Sequence, residues 1–267
     1  MKLSGILEEI VESKRRELRY AKADRPVGLL QDQAAELAPA RDFAETLRGT
    51  EVALVAEIKR ASPSEGEFPV LWFDPRHIAQ DYVAGGAAAI SVLTEENYFK
   101  GAPNFVARAR GRIPLPILRK DFILEDYQVY ESRALQADAV LLIVAILERQ
   151  ILAQLHQLVG QLGMTALVEV HDEEELEQAL AVGAQVIGIN NRDLATMEID
   201  LATTERLAPL AREDTLVVSE SGISCREDVE RVAAAGVDAV LVGTALMKST
   251  EFDLAARQFV GVVKRKH

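Results

Sequence analysis

In the stretch PILRKDF, residues 116–122, a short apolar run leads into charged residues that include Lys120. The same pattern closes residues 52–59, VALVAEIK, with Glu57 and Lys59, and residues 165–169, TALVE, with Glu169. An ionisable group at the end of a buried strand costs free energy unless the site uses its charge. Three strand-like runs that all carry charge at their carboxyl ends are typical of an enzyme built on a parallel barrel.

Short runs rich in Val, Ile, Leu and Ala recur eight times along the chain, and longer helical patterns separate them. The predicted strands are residues 52–59, 87–94, 115–122, 137–145, 165–170, 186–190, 216–221 and 239–243. The predicted helices between them include residues 75–84, 125–135, 148–162, 173–182, 201–211 and 226–235. No Gly-x-Gly-x-x-Gly motif follows the first strand, which argues against a doubly wound open sheet. The pattern therefore predicts an α/β fold, a (β/α)8 TIM barrel.

The 267 residues are expected to form a single TIM-barrel domain, residues 1–267. Residues 1–50 read as an N-terminal helical extension, with helices expected at 6–20, 29–37 and 43–48. Residues 51–267 supply the barrel and a closing helix at 251–265. The extension must dock on the barrel, either at its amino-terminal end or at the mouth of the site.

Composition excludes several classes of function. A net charge of −12 argues against nonspecific binding to nucleic acid, and no apolar stretch is long enough for a membrane span. Cys225 is the only cysteine, so a reducing cytoplasm is the expected location. The four histidines show no metal-ligand spacing, so no metal site is predicted. The expected partner is a phosphorylated small molecule, bound by a monomer or a weak homo-oligomer.

Alternation along the strands predicts which charged residues face inward. Glu57 and Lys59 share a face, as do Asn190 and Arg192. Lys120 shares its face with apolar neighbours, and a second lysine is expected nearby, so we expect a lowered pKa and a readily donated proton. A plain structural ion pair at a strand end is the alternative for each lysine.

The last two strands end in small residues with hydroxyls, SESGI at 219–223 and VGTA at 242–245. Backbone N–H groups there are not covered by large side chains and can donate to a phosphate. TIM barrels commonly bind phosphate at this place, near a short extra helix. Strict alternation cannot point both Glu220 and Ser221 inward, so one of them is expected to act from the strand edge. Lys59 is the expected charge partner. The loop ASPSEG at 61–66 is expected to form a mobile lid or a simple turn.

Nine motifs along the chain together resemble indole-3-glycerol phosphate synthase. They are AEIKRASPS at 56–64, VLTE at 92–95, YFKG at 98–101, LRKDF at 118–122, AVLLIVA at 139–145, VE at 168–169, GINNR at 188–192, SESGI at 219–223 and VGTALM at 242–247. The resemblance implies conversion of 1-(2-carboxyphenylamino)-1-deoxyribulose 5-phosphate to indole-3-glycerol phosphate, CO₂ and water, with no cofactor and no metal.

The same resemblance implies a set of site residues. Catalytic roles fall to Glu57, Lys59, Lys120, Glu169, Asn190 and Ser221. Phosphate binding falls to Lys59, Ser221, Gly222, Gly243 and Thr244. Other substrate contacts fall to Ser62, Phe99, Phe122, Leu141, Arg192, Leu194 and Glu220, of which Phe99, Phe122, Leu141 and Leu194 would surround the anthranilate ring. Which carboxylate acts as the base stays open.

The chain departs from the family pattern at several positions. Glu65 stands where a lysine is common, Met197 where an aromatic is usual and Thr244 where serine is common; residues 101–105, GAPNF, are less acidic and polar than expected. A carboxylate at Glu65 is expected to affect substrate approach and loop closure. The alternatives are another phosphosugar barrel, such as phosphoribosylanthranilate isomerase, or a noncatalytic barrel that binds phosphorylated metabolites. Two strand-end lysines argue against the isomerase.

Overall fold

The computed structural model describes residues 5–70, 72–111, 113–193 and 196–265. Eight parallel strands close into a barrel in which each strand pairs with its neighbours in the sequence and the last pairs with the first. The strands are β1 (Ala53–Ile58), β2 (Ala89–Leu93), β3 (Ile117–Lys120), β4 (Ala139–Ile143), β5 (Thr165–Val170), β6 (Val186–Asn190), β7 (Leu216–Glu220) and β8 (Ala239–Val242). The predicted (β/α)8 TIM barrel and all eight strands are confirmed.

Helices precede, surround and follow the barrel. They are α1 (Gly5–Asp24), α2 (Val27–Glu36), α3 (Phe43–Thr46), α4 (Pro75–Ala84), α5 (Asn104–Arg110), α6 (Asp126–Ala134), α7 (Arg149–Gln161), α8 (Glu173–Ala181), α9 (Ala202–Leu207), α10 (Arg226–Ala233), α11 (Thr244–Met247) and α12 (Phe252–Arg257). Short 3₁₀ turns follow β4 at Val144–Ile146 and α9 at Ala208–Leu210. The sequence did not reveal α5, which is only seven residues long.

Alternate residues of each strand enter two separate apolar cores. On β1, Leu54, Ala56 and Ile58 pack outward against the helices, and Val55 packs inside the barrel. The inner core is made mostly of Ala, Val and Leu from all eight strands. Because the strands are buried on both faces, they read as continuous apolar runs, and the sequence locates them for that reason.

The N-terminal extension contacts both ends of the barrel. Phe43 and Leu47 pack into the inner core together with Ala53 and Ala89, which begin β1 and β2, so α3 closes the amino-terminal end. At the opposite end, Lys14 of α1 forms an ion pair with Asp121, directly after β3. The sequence predicted one docking place or the other, and the extension uses both.

The predicted closing helix at residues 251–265 is wrong in extent, because the helix covers only Phe252–Arg257. Gly261 has a φ of +76°, a left-handed conformation that cannot continue a helix, and β-branched valines surround it. Beyond it the chain is extended, and Val263 forms a bridge with Glu51 ahead of β1. Across the described residues, no helix is both long and apolar enough to cross a membrane.

Candidate active site

A cavity of about 680 Å³ opens at the carboxyl ends of the barrel strands. It is lined by every predicted site residue that falls within the described chain: Glu57, Lys59, Ser62, Phe99, Lys120, Phe122, Leu141, Glu169, Asn190, Arg192, Glu220, Ser221, Gly222, Gly243 and Thr244. Leu194, predicted to contact the anthranilate ring, lies outside the described residues. Strand ends, rather than distant loops, therefore bring the charged groups together.

The inner surface of the barrel changes from apolar to charged within two residues along several strands. Leu118 precedes Lys120 on one face of β3, and Leu167 precedes Glu169 on β5 in the same way. The lower residue of each pair belongs to the inner core, and the upper one lines the cavity. A side-chain period of two places the polar layer directly on an apolar floor.

Lys120 lies between two carboxylates from other strands. Its Nζ donates to Glu169 Oε2 at 3.0 Å and to Glu220 Oε2 at 2.7 Å. Both carboxylates are almost completely buried, at 2% and 1% exposure. The other oxygen of Glu220, Oε1, is buried without a hydrogen-bond partner among the described residues. Buried polar atoms are normally paired, so an unpaired carboxylate oxygen here is unusual.

The expected lowering of the Lys120 pKa is wrong. Burial does act to lower the pKa of this ammonium, but the charges of Glu169, Glu220 and Glu57 outweigh it and raise the pKa above its ordinary value. The second cation, Lys59, pairs instead with Glu57, at 3.1 Å between Nζ and Oε1. Lys120 is therefore held as a charged hydrogen-bond donor.

The pKa values of the two carboxylates beside Lys120 are shifted in opposite directions. Burial raises the pKa of Glu220 to about 7. The positive charge of Lys120 opposes this rise, and the negative charge of Glu169 adds to it. Burial also acts to raise the pKa of Glu169, but Lys120, His171 and a hydrogen bond from Asn190 outweigh it and lower that pKa. Two nearby carboxyl groups with separated pKa values are the usual basis for assigning one acid and one base.

The side-chain amide of Asn190 is held by hydrogen bonds at both its nitrogen and its oxygen. Its Nδ2 donates to Glu169 Oε1 at 3.1 Å, and its Oδ1 accepts from the backbone N–H of Arg192 at 3.0 Å. Both groups of the amide are thus oriented before any ligand arrives. Arg192 also lines the cavity, with its guanidinium donating to the carbonyl of Met197 at 3.1 Å.

Asn191 does not line the cavity, and its contacts are structural. Its Nδ2 donates to the carbonyl oxygens of Glu220 and Ser221 at 2.9 and 3.0 Å, and its Oδ1 accepts from Thr204. Ser221 has a φ of +64°, unusual for a residue other than glycine, and this clamp stabilises it. The turn lets Glu220 point inward while Ser221 reaches the cavity from the strand edge.

Glycines leave room for the charged layer. A Cβ on Gly243 would lie 2.3 Å from Glu57 Oε1 and 3.0 Å from Lys59 Nζ, so only glycine lets these groups approach the end of β8. Gly222 has a φ of +83°, and a Cβ there would lie 2.6 Å from Ile199. As predicted, a short extra helix, α11, follows at Thr244. Glycine backbone next to the ammonium of Lys59 makes this part of the cavity suited to an anion.

The other side of the cavity is apolar. Phe99 and Phe122 stand with ring centroids 6.3 Å apart, and Leu141 lines the same wall. Glu95, fully buried, accepts from the backbone N–H groups of residues 97–99 and so holds the loop that presents Phe99. A flat, hydrophobic ligand group can pack against this wall.

The rim of the cavity contains residues that the sequence did not identify. Ile6, Leu7 and Ile10 of α1 line it, and their helical apolar spacing was the only available signal. The loop expected to be a lid or a turn forms a two-stranded ribbon, Ala61–Ser62 with Gly66–Glu67. At its tip Glu65 forms an ion pair with Lys248 at 2.8 Å, another lining residue that was missed.

In the part of the chain that the structure describes, no group of three or more His, Cys, Asp or Glu side chains is arranged to hold a metal ion. The inner part of the cavity combines Lys59 and Lys120 with Glu57, Glu169 and Glu220, beside an apolar wall. Such a set can donate and accept protons while holding an anion and a ring.

Comparisons with known proteins give a consistent result. A family profile described as indole-3-glycerol phosphate synthase matches residues 7–259. Two relatives carry the same name: one from Dehalococcoides mccartyi is 49% identical over 256 residues, covering 94% of this chain and 98% of its own, and one from Chromobacterium violaceum is 44% identical over 253 residues, covering 93% and 95%. Among solved structures, 3-hexulose-6-phosphate synthase from Salmonella typhimurium superposes with a TM-score of 0.62 at 13% identity, covering 78% of this chain and 96% of its own. That likeness concerns the barrel fold alone.

Proposed function

This chain belongs to the indole-3-glycerol phosphate synthase family, and we propose that the cavity at its barrel mouth is where the indole ring is closed. The chain is a carbon–carbon lyase of tryptophan biosynthesis. Its reaction converts 1-(2-carboxyphenylamino)-1-deoxyribulose 5-phosphate to indole-3-glycerol phosphate, CO₂ and water. The assignment of individual residues to steps is our proposal.

Ring closure requires the ring carbon that bears the carboxylate to attack the ketone of the sugar chain. The aniline nitrogen makes that carbon nucleophilic, but the ketone oxygen must gain a proton or a strong hydrogen bond as the bond forms. Lys120 supplies it as a general acid, because its flanking carboxylates keep it charged until the alkoxide develops. An alkoxide is far more basic than an amine, so the raised pKa of Lys120 does not prevent transfer. Loss of CO₂ then restores aromaticity.

Dehydration needs a group that removes a proton and a group that helps the hydroxyl leave. Glu169 suits the role of base, since its neighbours lower its pKa and keep it ionised. Glu220 suits a group that carries a proton, because its pKa of about 7 leaves it partly protonated at neutral pH. Lys59, held by Glu57, stands beside the phosphate end and is a second ammonium donor. Asn190 would stabilise developing charge.

The substrate phosphate would bind at the ends of β7 and β8. The backbone at Gly222 and Gly243, with the hydroxyls of Ser221 and Thr244, offers donors, and Lys59 supplies the opposing charge. The anthranilate ring would then lie against Phe99, Phe122 and Leu141, with Ser62 and Arg192 at the rim. This orientation places the ketone near Lys120.

The observation that carries the proposal is that Lys120 bridges Glu169 and Glu220 on the cavity floor. The test is to incubate the purified protein with the carboxyphenylamino-deoxyribulose phosphate and follow indole fluorescence. Lys120→Met should lower kcat by about 10²–10⁴-fold while substrate still binds. Lys22→Met, in an exposed ion pair with Glu125, is the matched control and should keep wild-type turnover. Near-normal turnover of Lys120→Met removes Lys120 from the acid role.

We also propose that the chain acts as one domain, residues 1–267, in the cytoplasm, as a monomer or weak homo-oligomer. The lone cysteine and the absence of an apolar span in the sequence support the location. Sedimentation at micromolar protein concentration tests the oligomeric state, and a stable dimer would contradict it.

A further inference from the structure

His171 lies directly behind Glu169 and does not itself line the cavity. It follows the last residue of β5, and its side chain is 14% exposed. The ring Nδ1 is 2.9 Å from Glu175 Oε2 on α8, and the ring Nε2 is 3.5 Å from Glu169 Oε1. The imidazole therefore stands between a carboxylate of the site and a carboxylate of a surrounding helix.

The capping of α8 accounts for the contact of His171 with Glu175 but not for its contact with Glu169. The backbone N–H of His171 donates to Glu175 Oε2 at 2.8 Å, and Asp172 accepts from the backbone N–H of Glu175 at 2.9 Å. These bonds secure the start of the helix and need at most the Nδ1 side of the ring. Nε2 takes no part in them, and it is buried without a hydrogen-bond partner among the described residues.

The surroundings of the imidazole favour its charged form. Burial alone would lower the pKa of His171, but Glu175, Glu169 and Glu220 outweigh it and raise that pKa above 6.5. These carboxylates come from α8, β5 and β7, and the charged group beyond them is Lys120 on β3, bonded to Glu169. An imidazolium carries a hydrogen and part of the positive charge on Nε2, the ring nitrogen that lies 3.5 Å from Glu169 Oε1.

Glu169 is thus held from two sides. Lys120 contacts Oε2 from within the cavity, and Asn190 and His171 face Oε1. When substrate engages Lys120, the hydrogen bond at Oε2 weakens, while His171, which does not line the cavity, keeps its place beside Oε1. The contacts behind the carboxylate would then fix its orientation during proton removal.

We propose that His171, as an imidazolium, is a positioning residue that keeps Glu169 ionised and aimed into the cavity. This inference rests on the proposed function, in which Glu169 accepts the proton.

Two variants separate the two sides of the ring. In His171→Asn the amide reaches about as far as Nδ1 and keeps the Glu175 contact, while the Nε2 side and the charge are lost. In His171→Gln the amide reaches about as far as Nε2 and keeps a neutral donor toward Glu169. Both retain the backbone N–H that caps α8, so the helix start is preserved.

We expect His171→Asn to lower kcat about tenfold, the effect of removing one positive charge that faces Glu169, with KM nearly unchanged. The acidic limb of its kcat/KM profile should move up by about one pH unit, because the pKa of Glu169 rises when a neighbouring cation is removed. His171→Gln should recover part of kcat even where its melting temperature is lower. A purely structural role predicts the reverse order, with activity following melting temperature and an unmoved acidic limb, and that result overturns the inference.

NMR titration of the imidazoles in the intact protein tests the inference without turnover. The signal lost in His171→Asn identifies His171, and its pKa should lie above 6.5 in the wild type and fall in Glu169→Gln. A His171 pKa that does not respond to Glu169→Gln contradicts the inference. If the wild type makes no indole product but this coupling is present, the proposed function fails while the His171–Glu169 pairing stands.

Discussion

Replacing Gly188 with alanine should impair turnover through a carboxylate on the neighbouring strand. Gly188 is on the inner face of β6, two residues before Asn190, and its backbone φ is not in the left-handed region. A Cβ built there would lie 2.0 Å from Glu220 Oε1 and 3.4 Å from Leu167 Cδ1. Since carbon–oxygen contacts require roughly 3.4 Å, Glu220 must retreat by about 1.4 Å.

That retreat sets the magnitude of the effect. Glu220 Oε2 is 2.7 Å from Lys120 Nζ, and a displacement of this size breaks the bond. A hydrogen bond to a charged group contributes about 1.5–3 kcal/mol, which corresponds to a loss of roughly 10–100-fold in kcat/KM. Overpacking of the barrel interior should also lower the free energy of unfolding by about 1–3 kcal/mol.

The assay is indole fluorescence for kcat and KM, with urea unfolding for stability. Gly160→Ala is the matched control: Gly160 lies within α7, where a Cβ meets nothing within 4 Å, so the variant should keep full activity and gain about 0.5–1 kcal/mol. A double-mutant cycle isolates the mechanism. In a Glu220→Ala background the space is already empty, so adding Gly188→Ala should cost little more activity. Full turnover of folded Gly188→Ala, or an equal loss in both backgrounds, refutes the reasoning.

Two further perturbations test the rim and the extension. Lys14→Met should lower the free energy of unfolding by about 3 kcal/mol, because Asp121 stays buried and loses one of its cations, and a loss below about 1 kcal/mol in urea would contradict the role of this pair. Glu65→Gln should lower KM about twofold without changing kcat, because it removes an anion that faces Lys59 and Arg192 and pairs with Lys248. The difference in KM should shrink as salt is added, and identical KM values at low salt would show that Glu65 does not oppose substrate binding.

The fold could be read from the sequence because parallel strands buried on both faces leave an unambiguous signal. The predicted bounds of β5 and β6 match the structure to the residue. β7 and β8 begin as predicted and end one residue early, and β1 to β4 are one or two residues shorter at each end. The predicted helix at residues 251–265 is too long because Gly261 and its flanking valines favour an extended tail. Pairing of Val263 with Glu51 adds to this local preference.

Much of the site could be predicted as well, since alternation fixes which side chains face inward. Glu57, Lys120 and Glu169 occupy the cavity that this rule requires. The partners of Lys120 could not be predicted, because Glu220 is 100 positions away and meets it only through the curvature and stagger of the closed barrel. The direction of the Lys120 pKa was wrong because Glu169, Glu220 and Glu57 all lie close enough to outweigh burial, and the sequence does not give those distances.

The pairing of β1 with β8 closes the barrel, so it determines when the N-terminal helices can dock during synthesis. At about 5–20 residues per second, the roughly 190 residues that separate the two strands take on the order of 10–40 s to leave the ribosome. Throughout that interval α1 and α3 have emerged, but the closed ring that buries Phe43 at one end and Ile10 at the other does not exist. These apolar faces therefore stay uncovered by the barrel until β8 has been made and pairs with β1.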